Sequence, residues 1–392
     1  MFKVLTLNNI AVEGLRHLPR ERYEVASEIA HPDAVLVRSY NMHDMDIPDT
    51  VAAVGRAGAG TNNIPCDALA HRGVPVFNAP GANANAVKEL AIAGLLLGAR
   101  NVCDAREYVK SMTETGDALK GAVEAGKKQF SGFELPGRTL GVIGLGAIGV
   151  NVANAALDLG MKVVGYDPAI TVRNAWQLSS GVEQEETLDQ LFMHADFVTC
   201  HVPLIDATRK LVNADRLALM NGGGVLINFA RGGVVDDKAA IAALDSGKLH
   251  AYITDFPTPE LVAHPKVVAL PHLGASTGEA EENCAIMVAE NVKDYLENGN
   301  VRFSVNFPEA RLARLDAWRI TVANANVPNM VGQISTCIAN AGLNIEDLLN
   351  KSIGDLAYTI VDVNAEPSEE LLAELRGIAG VLALRNLGKP VT

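Results

Sequence analysis

Along the first hundred residues short apolar runs alternate with segments of helical periodicity. "KVLTLN", "AVLVRS", "VAAVGRAG" and "VPVFNAP" have the length and β-branched content of buried strands, and "PCDALAHRG" is helical, so the chain opens as a small parallel α/β unit. Residues 85–112 keep apolar positions at helical spacing and predict one long helix, followed by a polar, glycine-containing stretch over 115–138. A second series then runs through "TLGVIG", "AIGVNVANAALDLG", "KVVGYDP", "DFVTCHVP", "GGVLINFAR", "DDKAAIAALDSGK", "AYITDF" and "VVALP", which predicts a doubly wound sheet. That sheet is already complete when the helix "TGEAEENCAIMVAENVKDYLENG" begins, so this helix is expected to pack back on the first region. The tail reads strand, helix, strand, strand, helix, strand, a ferredoxin-like βαββαβ unit.

The predicted fold class is therefore α/β, with two Rossmann-like doubly wound parallel sheets and a C-terminal βαββαβ unit. Residues 1–98 and 276–300 are expected to form one discontinuous domain, 99–275 a second, 301–316 a linker and 317–392 the tail domain.

Composition narrows the partners. The 392 residues carry a net charge of −13, which argues against a surface built for nucleic acid or a membrane. An anionic ligand must then be met by a few local cations. The five cysteines are widely separated and lack a C-x-x-C pair, so neither a disulfide framework nor a metal site is expected, and a reducing cytoplasm fits. The N-terminus is too polar for a signal peptide and no apolar run reaches membrane-spanning length, so a soluble, unprocessed chain is expected.

The strongest chemical signal is G-x-G-x-x-G at Gly144, Gly146 and Gly149, placed directly after a predicted strand and opening a predicted helix. The next strand ends at Asp167, and this strand, turn, helix, strand and acid context is what dinucleotide binding requires. Gly144 serves the tight turn, Gly146 lets a pyrophosphate approach backbone N–H groups, and Gly149 lets helix and strand pack. The helix N-terminus receives the phosphates. Asp167 suits ribose hydroxyls and repels a 2′-phosphate, which favours NAD.

Given a nicotinamide cofactor, His272 in "VVALPHLGAST" acquires a task, since oxidising an alcohol by hydride transfer needs a base for the hydroxyl proton. Arg231 in "NFARGGVVDD" sits at another strand end between small residues, where its planar fork suits a carboxylate.

These residues resemble the D-isomer-specific 2-hydroxyacid dehydrogenases. The resemblance covers nearly the whole chain through "VGRAGAGTNNI", "NAPGANANAVKEL", "GLGAIG", "HVPL", "NFARGGVVDD" and "PHLGAST", and the tail looks like an ACT domain with a regulatory or dimerising role. It implies that Arg231 orients the substrate carboxylate, that His272 is the acid/base, and that a glutamate partners the histidine. That glutamate falls in "ITDFPTPE", which departs from the family's usual D-V-F-x-x-E-P: anchored on Asp255 the position is Glu260, anchored on Phe256-Pro257 it is Pro259. Glu260 is the expected partner, with Asp255 as the alternative. The resemblance further implies cofactor contacts from Ala147, Ile148, Val202, Pro203, Thr208, Phe229, Ala230, Asp255, Gly274 and Ala275. Substrate contacts are implied from Arg38, Ser39, Arg56, Gly58, Ala59 and Asn83, which suits a phosphorylated 2-hydroxy acid. Lys127 and Lys128 are candidates to reach a neighbouring subunit in a homodimer or homotetramer. In the tail, Asn324, Asn326 and Asn344 are the candidate serine-effector residues, although the asparagine at 324 stands where a histidine is expected. Rival readings are a glyoxylate or hydroxypyruvate reductase, which shares this chemistry, and an NAD-gated binding scaffold.

Overall fold

The structure is a computed structural model that describes residues 1–390, so the last two residues of the predicted tail domain lie outside it. The described chain forms two compact units, 84–277 and 1–83 together with 278–390.

The first unit contains two sheets. One is parallel, in the order β2-β1-β3-β4-β5, from β1 (Phe2–Leu7), β2 (Tyr23–Ala26), β3 (Ala34–Val37), β4 (Ala53–Arg56) and β5 (Val76–Phe77). β3 is buried on both faces, as expected of a strand whose sequence is an unbroken apolar run. The helix Gly278–Asn298 packs on this sheet through Cys284, Ala285, Val288 and Val292. Gly55 of β4 admits it, because a Cβ there would stand 2.6 Å from Val288 Cγ2.

The other sheet of this unit is the tail, antiparallel in the order β14-β15-β13-β16, from β13 (Trp318–Ala325), β14 (Ile345–Ile353), β15 (Leu356–Val363) and β16 (Val381–Gly388). Its helices Met330–Asn340 and Glu369–Arg376 cover one face through Ile334, Ile338, Leu371 and Leu375. The opposite face is buried too. Ala323, Tyr358 and Ile360 join one apolar core with Tyr295, Leu296, Phe307 and the first sheet. Side chains of the tail also donate to carbonyls at the end of Gly278–Asn298 and just beyond it, among them Tyr295 O, which accepts from Gly299 N as well. Arg385 donates to Tyr295 O and Leu296 O, Arg319 to Asn298 O, and the Tyr358 hydroxyl to Gly299 O at 2.9 Å. The tail expected to follow a linker as a separate domain is thus packed into the first unit.

The second unit holds a seven-stranded parallel sheet, order β12-β11-β10-β9-β6-β7-β8. Its strands are β6 (Thr139–Ile143), β7 (Lys162–Tyr166), β8 (Val182–Gln184), β9 (Phe197–Cys200), β10 (Gly224–Asn228), β11 (Leu249–Thr254) and β12 (Val267–Ala269). The chain reverses its direction of winding beside β6, where β7 lies on one side and β9 on the other, and such a switch point opens a ligand crevice at the C-terminal strand ends.

The helix expected over 85–112 is two helices, Ala84–Ala99 and Val102–Ser111. They part at Asn101, whose φ of 36° and ψ of 33° are left-handed, a conformation asparagine tolerates better than most residues. Ala84–Ala99 belongs to the second unit because Gly94 and Gly98 let it lie against Phe229 and Val225. The stretch 115–138, expected to be irregular, contains the helix Gly116–Gly126 and a 3-10 turn, Lys127–Phe130.

Candidate active site

The chemically suggestive residues of the second unit all follow the C-terminal ends of its strands. Gly144 follows β6, and its φ of +90° is a conformation in which a side chain would be strained. A Cβ there would also meet His201 O at 2.6 Å and Val202 Cγ1 at 2.8 Å, while one at Gly149 would lie 1.9 Å from Gly144 O. These two glycines let the turn fold tightly onto its helix. Gly146 differs: a Cβ there would meet nothing within 4 Å, and it is the residue from which Ala147–Asp158 starts, with Ala147 and Ile148 in the first turn. Open space in front of unpaired N–H groups fits a pyrophosphate.

Asp167 follows β7. Its Oδ2 accepts from Leu145 N at 2.8 Å and its Oδ1 from Ala169 N at 2.9 Å, so the carboxylate is anchored against the glycine turn with lone pairs left for ribose hydroxyls. After β9, Pro203 O accepts from Thr208 Oγ1, which in turn accepts from Ile205 N at 2.9 Å, closing the "HVPL" loop beside the turn.

Arg231, Asp255 and His272 follow β10, β11 and β12, three strands that are neighbours in the sheet. Asn228, buried at the end of β10, accepts from Ala230 N at 3.1 Å and donates to Arg231 O at 2.9 Å, which clamps the turn presenting Arg231. The Arg231 side chain is exposed, with one contact from Nη1 to Ala230 O at 2.7 Å. His272 is exposed as well and has a φ of +39°, rare for a residue with a side chain. Asp255 holds this loop. Its carbonyl accepts from His272 N at 3.0 Å, its Oδ2 accepts from Gly274 N at 3.0 Å, and the ring of Phe256 lies 4.9 Å from the imidazole.

Asp255 is fully buried, and its Oδ1 has no hydrogen-bond partner in the protein. Burial pushes its carboxyl above the ordinary value, opposed by the Gly274 N–H and the charge of His272. Phe229 O and Gly274 converge with this carboxylate, and Ala230 and Ala275 adjoin them in the chain. A buried acceptor left unsatisfied suits a ligand donor such as a carboxamide N–H. The donor set therefore fits a nicotinamide dinucleotide.

Glu260 lies elsewhere in its loop. It is exposed on the short helix Pro259–Ala263, capped by Thr258, and its electrostatic neighbour is Asp237, whose carboxyl is raised chiefly by burial and further by Asp236 and Glu260. The carboxylate that the structure joins to the His272 loop is that of Asp255 rather than Glu260.

A second histidine at a strand end, His201, is unsuited to proton transfer. Its Nε2 is 3.0 Å from Thr199 Oγ1, its Nδ1 is buried without a partner, and burial pushes the imidazole down to about 4.

The expected substrate residues belong to the first unit. Arg38 follows β3, with Ser39 exposed beside it, and Arg56 ends β4 and donates from Nε to Arg38 O at 3.1 Å. The Arg56 guanidinium lies across Gly58, where a Cβ would stand 1.7 Å from Nη1. Asn78 secures the next residue by donating to Ala59 O at 2.6 Å, and Asn83 is half-buried at the end of this segment. Lys127 pairs with Glu124, and both Lys127 and Lys128 stand in the 3-10 turn with Lys128 exposed. In the tail, Asn324 is buried with Oδ1 unpartnered, Asn326 donates to Gly354 O at 3.0 Å, and Asn344 precedes β14 at the far end of the sheet. Register places Ile345 and Trp318 both opposite Val363, six residues of strand from Asn324, or about 20 Å at roughly 3.4 Å per residue. One tail does not bring the three asparagines together.

Sequence reasoning overlooked Asn228. Its signal is a buried amide closing an otherwise apolar strand, "GVLIN".

A dinucleotide cradle beside an exposed imidazole and an exposed guanidinium, all on one sheet edge, defines a nicotinamide-dependent dehydrogenase. The chain belongs to the D-isomer specific 2-hydroxyacid dehydrogenases: the model of that family's NAD binding domain matches residues 92–274. It is 34% identical over 347 residues to D-3-phosphoglycerate dehydrogenase of Haemophilus influenzae, covering 86% of this chain and 81% of that protein. It is also 34% identical to the protein of that name from Methanocaldococcus jannaschii, covering 87% of this chain but only 63% of its relative. Among solved structures, NAD+-bound 3-phosphoglycerate dehydrogenase of Entamoeba histolytica superposes with a TM-score of 0.58 at 25% identity, covering 78% of this chain and 98% of that one.

Proposed function

We propose that the chain oxidises 3-phosphoglycerate to 3-phosphohydroxypyruvate, the opening step of serine biosynthesis. NAD, which the turn at Gly144, Gly146 and Gly149 with Asp167 would hold, would supply the hydride acceptor for C2. His272 takes the hydroxyl proton, since its imidazole is exposed at the strand end whereas that of His201 is enclosed and pushed down by burial. Arg231 holds the carboxylate, presented by the Asn228 clamp. Of the two carboxylates considered for His272, we assign the orienting role to Asp255. Arg38 and Arg56 meet the phosphate.

The observation that carries the phosphorylated substrate is this pair of arginines on adjacent strand ends, joined by a hydrogen bond, in a chain of net charge −13. A simple 2-hydroxy acid has no second anion for them to bind. Rates of NAD reduction across glycerate, lactate and 3-phosphoglycerate test it, and a higher kcat/KM for either unphosphorylated acid would refute it.

The working form is proposed to be a homodimer or larger, because the amphipathic helices Val102–Ser111 and Gly116–Gly126 bury none of their residues within the chain. Serine is proposed as an effector bound between two tails, since a site using Asn324, Asn326 and Asn344 needs two copies. Calorimetry with serine tests this, and an unaltered binding isotherm after Asn344→Ala counts against it. The five unpaired cysteines support a cytoplasmic location.

A further inference from the structure

We infer that Glu281 is a positioning residue for the substrate anion, holding the Arg38 guanidinium in the orientation that receives it. The inference rests on the reading of Arg38 as a substrate cation.

Arg56 donates from Nε to Arg38 O at 3.1 Å, and its guanidinium lies over the bare backbone of Gly58. Arg38 is set by a side chain, with Nη2 donating to Glu281 Oε1 at 2.5 Å. Glu281 stands in the first turn of Gly278–Asn298. Cys284, on the next turn and buried, feels the charges of Arg56, Arg38 and Glu281 alike, so the two guanidiniums and the carboxylate converge on one patch of that helix.

The Arg38 and Glu281 side chains are 36% and 41% exposed. An ion pair this exposed adds little to folding, so its value must lie elsewhere. A flexible arginine loses rotamer freedom when a ligand immobilises it, and a carboxylate that already holds the fork removes much of that cost from binding. The pair therefore acts on affinity rather than on chemistry. The carboxylate accepts one edge of the planar fork, and the remaining N–H groups keep the fixed geometry that a phosphate oxygen pair matches.

Steady-state kinetics with 3-phosphoglycerate and NAD tests this. Arg38→Ala and Glu281→Ala should each raise KM for 3-phosphoglycerate about tenfold, with most of the loss in KM rather than kcat. NAD affinity should be unchanged, which also reports an intact fold. Glu281→Gln keeps an acceptor for Nη2 and should stay within about threefold of the parent. The double variant should be no worse than Arg38→Ala alone, because the two residues act as one unit. If Arg38→Ala raises KM but Glu281→Ala leaves it unchanged or lowers it, Glu281 does not position the guanidinium and the inference is overturned. If Arg38→Ala itself leaves KM unchanged, the substrate reading fails and the inference falls with it.

Discussion

Arg319 and Asp362 face each other across β13 and β15 in a two-pronged ion pair, Nε to Oδ1 and Nη2 to Oδ2, both 2.7 Å. Their side chains are 0% and 1% exposed. The donors left on Arg319 go to Asn298 O, Leu312 O and Ala313 O, so this pair ties the tail sheet to the end of Gly278–Asn298 and to the segment after it. Removing one member of a buried pair strands the other charge, at a cost of roughly 3–5 kcal/mol. Asp362→Asn should therefore lower the denaturation midpoint of the first unit, and urea titration should find the loss there rather than in the 84–277 unit.

His272→Asn should lower kcat by at least about 100-fold while NAD still binds, because general acid–base catalysis contributes on that scale. Asp255→Asn should shift the kinetic pKa downward, since a carboxylate near an imidazolium favours the protonated form. Glu260→Gln should leave the pH profile in place. A shift in Glu260→Gln without one in Asp255→Asn would return the orienting role to Glu260.

Stability should follow the sign of the Asp255 shift. Burial holds its carboxyl above the ordinary value, so the folded chain binds that proton more tightly than the unfolded chain. The stabilisation is present at low pH and is lost as pH rises through the raised value. Asp255→Asn should melt higher than the parent at about pH 8, with the difference shrinking as pH falls through that value. A difference independent of pH would assign the effect to packing.

Gly146 and Gly149 should separate binding from folding. Gly146→Ala meets open space and should fold normally yet weaken NAD, whereas Gly149→Ala drives a methyl into Gly144 O and should lower the melting temperature. Thermal melting with and without NAD reads both.

Asp167→Ala should weaken NAD and relax discrimination against NADP, because the carboxylate anchored on Leu145 N would repel a 2′-phosphate. An unchanged cofactor ratio would mean that another residue reads the ribose.

The sequence was most legible where its elements are strongly patterned. Apolar runs such as "AVLV" and "GVLIN" mark central strands, and the glycine spacing at 144, 146 and 149 marks the turn. The edge strands β2 and β8 were not, since "YEVA" and "VEQ" are short and interrupted by polar residues. The break at Asn101 was hidden because apolar spacing continues through it, and only the local backbone shows the reversal. At the site, Arg231 and His272 stand out by strand-end position, but Asp255 and Glu260 could not be ranked from spacing. Burial separates them: one is enclosed and hydrogen-bonded to the loop, the other exposed beside Asp237. Glu281 gave no signal, since a glutamate on an acidic helix reads as a solvated face.

The capping of Gly278–Asn298 by Arg385, Arg319 and Tyr358 bears on how this architecture can change over evolution. A tail transplanted from another protein would have to bring donors at all three positions, or lose the bonds to Leu296 O, Asn298 O and Gly299 O where that helix ends. The tail is therefore not a portable module that recombination can exchange at a linker. Substitutions in it are selected together with those in the helix that carries Glu281, and the two should vary as one inherited block.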